Sequence, residues 1–205
     1  MGAYDNLNEM QLDVLREIGN IGSGNACTAL AVLLGTFVDM SVPNIRFFDI
    51  ESVKEFLGGE ENQVLGIKIG VKEDLNGMMF HIVKKPFAEK IINTFYEKHM
   101  EDLSELNDMD LSVLSEMGNI TSGAYANSLA TLTGMVVDID APVHHIDTVG
   151  NILKIPFDSF GSVGEAILVI DEQFIIGEEK ITSHMLLILE DSSLYKLFER
   201  LGISC

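Results

Sequence analysis

Basic side chains are scarce: 13 Lys and Arg stand against 32 Asp and Glu in 205 residues, a formal charge of −19 at pH 7. Nucleic-acid binding neutralises phosphates with clustered Lys and Arg, so nucleic acid is not an expected partner. Anionic membrane surfaces are disfavoured for the same reason, and an acidic surface suits a cationic partner or solubility. Cysteine is scarce too. Cys27 and Cys205 cannot make a disulfide framework, which points to reduced thiols in a cytoplasmic chain. With 18 Gly and 4 Pro against 47% hydrophobic residues, disordered and collagen-like classes are excluded and there is material for a core. Residues 1–10 carry Asp5 and Glu9 without a basic or apolar region, so no signal peptide is expected. Asn6 in place of Ser or Thr breaks the myristoylation pattern. The longest apolar run, 26–38, is interrupted by Thr28, Gly35 and Thr36 and is too short to span a bilayer.

What is present is a repeat. Residues 7–43, shifted by 99, match residues 106–142 at 19 of 37 positions without a gap, which chance does not produce. The halves divide near Met100, so residues 1–205 read as a single domain of two repeats, about 1–100 and 101–205. Each repeat opens with a helix-start signal: Asn8 as N-cap, Gln11 at the third helical position and a Leu7/Leu12 staple, then Asn107, Asp110 and Leu106/Leu111. Gly35 and Gly134 are the expected stops. Gly19, Gly22 and Gly24 argue for a break. Small residues nevertheless recur at every fourth position, Gly19, Ser23, Cys27, Ala31, Gly35 and Gly118, Ser122, Ala126, Ala130, Gly134. Residues four apart share a helix face, so each row predicts one continuous helix of roughly 26 residues packed closely on another backbone.

Strand-like segments follow at 37–42, 45–50, 64–71 and 78–83, then a helix at 87–98. The second half reads strands at 135–139, 143–146, 166–170, 174–176 and 184–189, then a helix at 193–201. Matching 76–95 to 183–202 needs an offset of 107, so eight extra residues are expected, at the hairpin around 171–179. The order predicts an α+β fold: internally duplicated, pseudo-two-fold, with a mainly antiparallel sheet and two long equivalent helices.

On a helical wheel Asp13, Glu17 and Asn20 fall on one line, opposite Leu12, Val14, Leu15, Ile18 and Ile21. Ser112, Glu116 and Asn119 take the same angles in the copy. Arg16, Asn25 and Thr28 change to Ser115, Ala124 and Asn127, yet Glu and Asn recur. An inherited solvated face would account for a single Glu. It accounts less well for two Asn, a poor helix former, each three residues after a Glu. No His or Cys joins the face and Ser112 replaces Asp13, so a metal site is not expected. A second acid for carboxylate-pair chemistry, a base for a Ser or Cys nucleophile and a Gly-rich phosphate loop are all missing. His81, His99, His144, His145 and His184 carry no triad signal. An amide can orient water for phosphoryl transfer to water on another protein, and a Glu can pair with that protein's Lys or Arg.

The spacing Asp13-x3-Glu17-x2-Asn20-x22-Pro43 and its copy Ser112-x3-Glu116-x2-Asn119-x22-Pro142 resemble the signature of the CheC/CheX/FliY family of chemotaxis phosphatases. The resemblance covers nearly the whole chain, and its four positions are met twice. It implies a hydrolase, a phosphatase acting on the aspartyl phosphate of the response regulator CheY in two-component signalling. Asn20 and Asn119 would orient the attacking water, and Glu17 and Glu116 would pair with the regulator's Lys. Asp13, Ser112, Pro43 and Pro142 would shape the helix and the adjoining turn. It also implies a second partner, the receptor deamidase CheD. No cofactor would be held by this chain; Mg²⁺ would belong to the phosphorylated partner, of which one chain could take two. The alternative is a non-catalytic interaction module of the flagellar-switch type that sequesters CheD or CheY. Such a module has no need of the two amides.

Overall fold

The computed structural model describes residues 9–41, 43–160 and 167–202. The first half runs α1 (Glu9–Leu34), β1 (Val38–Met40), β2 (Asn44–Phe48), α2 (Ile50–Phe56), β3 (Gln63–Glu73), β4 (Gly77–Val83) and α3 (Lys85–Ile92). After one 3-10 turn (Leu103–Glu105) the same order returns as α4 (Asp108–Thr133), β5 (Val137–Ile139), β6 (Val143–Thr148), α5 (Val149–Phe160), β7 (Ile167–Ile176), β8 (Glu179–Leu189) and α6 (Asp191–Arg200). The strands form one antiparallel sheet in the order β1-β7-β8-β4-β3-β5, with β2 also along β7 and β6 also along β3. The fold is α+β and pseudo-two-fold, as the repeat implies. The short strands of each repeat pair with the long strand of the other, and β4 and β8 meet at the centre.

Both long helices contain 26 residues and pass through their glycines unbroken. At the start of α4, Asn107 accepts from the Met109 and Asp110 amides while Asp110 accepts from the Asn107 amide, the reciprocal cap the sequence predicts. Gly134 ends α4 at φ 68°, and Gly35 follows α1 at φ 62°, a conformation that glycine adopts without steric cost. Leu7, Asn8 and Cys205 lie outside the described residues.

The small residues serve two surfaces. A Cβ on Gly19 would stand 2.8 Å from Ile45 Cδ1, and one on Gly118 would stand 3.2 Å from Ile67 Cγ2, so both sit against strands. Gly22 instead faces the other long helix, where a Cβ would lie 2.8 Å from the Tyr125 ring. α1 and α4 thus pack on each other and on one face of the sheet.

Side chains alternate across β7 as period 2 requires. Leu168 and Ile170 join Leu15 and Ile18 under the long helices, and Phe174 and Ile176 join Leu30 and Leu34. Ile167 and Val169 point the other way, to Val53 and Leu57 of the first repeat and Val149, Ile152 and Leu153 of the second. A sheet covered on both faces explains the nearly continuous apolar runs of β4, β7 and β8.

The expected elements differ from these in four places. α2 and α5, which cover the second face, are additional. At α2 a signal is present, since Asp49 accepts from the Ser52 amide at 2.8 Å. α5 carries Pro156 inside it, a residue that argues against a helix. Residues 167–170 and 174–176 belong to one strand, β7, across the charged Asp171 and Glu172, and residue 166 of the expected strand lies outside the described residues. α3 stops at Ile92, and Asn93 Oδ1 then accepts from the Lys98 amide at 2.6 Å as the chain turns away. Finally, the extra residues lie mainly outside the expected hairpin. Val38 and Val137 are 99 apart, whereas their partners Ile176 and Glu73 are 103 apart, so four precede β7. The pairs Val71–Gly77 and Phe174–Ile181 assign one to the hairpin, with offsets of 103 and 104.

Candidate functional site

Glu17 and Asn20 stand on the solvent side of α1, and neither side chain has a hydrogen-bond or ion-pair partner among the described residues. The core contacts of Leu15 and Ile18 fix this orientation. Asp13 is one turn earlier, and Arg16 Nη1 holds it at 2.7 Å in an exposed pair. Pro43, 23 residues after Asn20, is buried beside it: a Cβ on Gly19 would lie 3.2 Å from Pro43 Cγ. Asn20, Ser23, Gly24, Cys27, Asp39, Met40, Ser41 and Pro43 line an open cleft of about 270 Å³ between α1 and the β1–β2 turn. The motif residues Asn20 and Pro43, distant in sequence, are therefore neighbours.

In the second copy Glu116 is exposed, Asn119 and Pro142 are half-buried, and Ser112 Oγ donates to the Asp108 carbonyl at 2.7 Å. Glu116 and Asn119 also lack side-chain partners among the described residues. The surroundings differ in charge. Lys72 pairs with Asp140 at 2.8 Å and Asp138 at 3.5 Å beside the β5–β6 turn, and Ser115 Oγ lies 3.5 Å from His144 Nδ1. The position of Asp140 is taken by the uncharged Ser41 in the first copy.

Beneath the two faces lie polar groups that sequence reasoning missed. Ser23 Oγ donates to the Gly19 carbonyl at 2.7 Å and lies 3.1 Å from the Tyr125 hydroxyl. Glu172 is fully buried, and its carboxyl oxygens have no hydrogen-bond partner among the described residues. Burial, with Asp171 nearby, pushes its pKa up to about 8. Burial, with Asp39 and Glu172 nearby, pushes the Cys27 thiol up to about 11, so it is not an activated thiolate at neutral pH. Under the second face His81 Nε2 lies 2.9 Å from Ser122 Oγ, and burial pushes the imidazole down to about 4. Ser122 is fully buried and His81 is 1% exposed, so this Ser–His pair cannot meet a substrate. Its signal was the period of two that His81 shares with Met79 and Val83, which places the imidazole on the face under the long helices.

Among the described residues no three His, Cys, Asp or Glu converge as metal ligands, and no helix is long and apolar enough to cross a membrane.

Two stretches, residues 10–46 and 109–146, match the CheC-like family. Each spans a long helix and the two short strands that follow. Over 208 aligned positions, covering the full length of both, the chain is 32% identical to the CheY-P phosphatase CheC of Bacillus subtilis (strain 168). The chain belongs to the CheC-like family. This CheC-like chain is also 27% identical over 139 residues to the flagellar motor switch phosphatase FliY of the same organism, covering 67% of this chain and 36% of that one. Its fold matches that of Thermotoga maritima FliY with a TM-score of 0.75 at 24% identity, over 96% of this chain and 98% of that one. The FliM middle domain of H. pylori matches with a TM-score of 0.68 at 12% identity, over 95% and 99%. These two structural likenesses establish the fold alone.

Proposed function

We propose that this CheC-like chain is a chemotaxis phosphatase that hydrolyses the aspartyl phosphate of the response regulator CheY, with one site on each repeat of a single domain. The observation that carries the reading is the doubled Glu-x2-Asn on the solvent side of twin 26-residue helices, unpartnered in both copies. The full-length likeness to a CheY-P phosphatase supports the substrate.

In this reading Glu17 or Glu116 docks on the regulator's active-site Lys as a charge-assisted pair. That contact sets the amide of Asn20 or Asn119 beside the phosphoryl group. The amide holds one water in line with the phosphorus–carboxylate bond. The water oxygen attacks phosphorus, the bond to the aspartyl oxygen breaks, and the carboxylate leaves with the bonding pair. Inorganic phosphate departs, and the water's proton passes to phosphate or solvent. The protein's contribution is positioning, which is most of what phosphoryl transfer asks of it. The Mg²⁺ that offsets the developing charge belongs to the regulator. Asp13, Ser112, Pro43 and Pro142 shape the approach. CheD is the second proposed partner and the cytoplasm the proposed compartment, both resting on the family resemblance.

The test is release of inorganic phosphate from phosphorylated CheY with and without the chain. The reading expects acceleration by the natural protein and none by the variant carrying both Asn20→Ala and Asn119→Ala. Equal acceleration by both proteins overturns it.

A further inference from the structure

The peptide bond that carries each amide residue is reached from below by a buried group of the opposite repeat, through the Ser23 hydroxyl in the first copy and by ring contact in the second. The Gly19 carbonyl shares a rigid peptide plane with the Asn20 nitrogen, so whatever fixes that carbonyl fixes the base of the Asn20 side chain. Ser23 Oγ donates its one proton to that carbonyl at 2.7 Å. The 3.1 Å contact between Ser23 Oγ and the Tyr125 hydroxyl must therefore run from Tyr125 to Ser23. Hydroxyls that bond back four residues are common in helices and do not of themselves imply function. Thr121 to Met117, Ser128 to Ala124 and Thr131 to Asn127 are such bonds in α4. Ser23 differs in being held by a residue of another helix.

The second copy reaches the same peptide with different chemistry. His81 Nε2 lies 2.9 Å from Ser122 Oγ, four residues after Gly118, whose carbonyl shares a plane with the Asn119 nitrogen. A Cβ on Gly118 would lie 3.3 Å from His81 Cδ2, so the ring is seated against that peptide. Tyr125 belongs to the second repeat and supports the first amide; His81 belongs to the first repeat and supports the second. At the sequence position matching Tyr125 stands Ala26, so the two supports are not copies of each other.

We infer that Tyr125, through Ser23, and His81, with Ser122, are positioning residues for Asn20 and Asn119 respectively, so that neither repeat holds a working site without the other. The inference rests on the phosphatase reading above. Tyr125→Phe keeps the ring against Gly22 and removes only the hydroxyl. His81→Leu removes the ring nitrogens, and His81→Gln restores an amide in their place.

The experiment measures steady-state phosphate release from phosphorylated CheY in two full-length backgrounds, Asn119→Ala with only the first site and Asn20→Ala with only the second. Tyr125→Phe is expected to lower kcat about tenfold in the first background with KM within twofold, and to spare the second. His81→Leu is expected to show the reverse, and His81→Gln to recover at least half of the lost kcat. Equal losses in both backgrounds, or losses that follow the melting temperature, would make these residues structural and overturn the inference. So would unchanged kcat in every case. If neither parental background releases phosphate faster than CheY alone, the phosphatase reading itself fails, a distinct result.

Discussion

Lys98 reaches the fully buried carboxylate of Asp110 in the first turn of α4, where the Tyr96 hydroxyl and the Asn107 amide also donate to it. Burial on its own would raise the Asp110 carboxyl, but the bonds from Lys98, Tyr96 and Asn107 outweigh it and hold the carboxyl below its usual range. Removing one partner of a buried pair leaves an uncompensated charge. Lys98→Ala should therefore lower the unfolding free energy by about 2–3 kcal/mol, somewhat under the full cost because Tyr96 and Asn107 still serve the carboxylate. Urea denaturation at pH 7 measures it. Asp110 contributes stability above pH 3.8, lost as pH falls through its lowered value, so the difference between the two proteins should shrink toward pH 3.

The amides carry the activity. Asn20→Ala with Asn119→Ala should leave the melting temperature close to that of the natural protein, because both side chains lack partners among the described residues. Phosphate release should drop ~10²–10³-fold, as for loss of a positioned transition-state group. Each single variant should retain the activity of its other site.

The glutamates carry docking. Glu17→Lys with Glu116→Lys should weaken binding of CheY more than Glu17→Gln with Glu116→Gln, because a like charge then meets the partner's Lys. Calorimetric titration with CheY held in its phosphorylated form by a stable phosphate mimic should saturate at two regulators per chain. Each single reversal should reduce that number by one. Saturation at one regulator, insensitive to Glu116→Lys, would mark the second copy as a structural relic.

Glu172 makes stability depend on pH in the opposite sense to Asp110. Its folded value of about 8 lies above the ordinary 4.5, so the native state holds a proton that the unfolded chain releases. The contribution is complete below 4.5, declines as pH rises and is gone above about 8. Within that window the slope is about 1.4 kcal/mol per pH unit for one proton. Glu172→Gln, which cannot ionise, should remove this slope. Unfolding curves for both proteins at pH 6 and pH 8.5 test it, and parallel stabilities would refute the buried carboxylic acid.

Periodicity and repetition are properties of a chain read along its length, and they were sufficient for much of this molecule. The small-residue rows from Gly19 and Gly118 set two unbroken helices, Gly35 and Gly134 marked their ends, and the Glu–Asn face followed from the apolar face opposite. These local signals were enough for the duplication, the long helices and the helix side chains that face water. What lies beneath them came only with the packing of distant segments. Tyr125 meets Ser23 across 102 residues and His81 meets Ser122 across 41, contacts that no local pattern encodes. α2 was hidden because seven residues are too few to establish a period, and α5 because Pro156 reads as a breaker. The exchange of strands between repeats belongs to the same class. A strand's alternation specifies the face it buries but not the edge it joins, and only closure of the sheet paired β1 with β7 and β5 with β3.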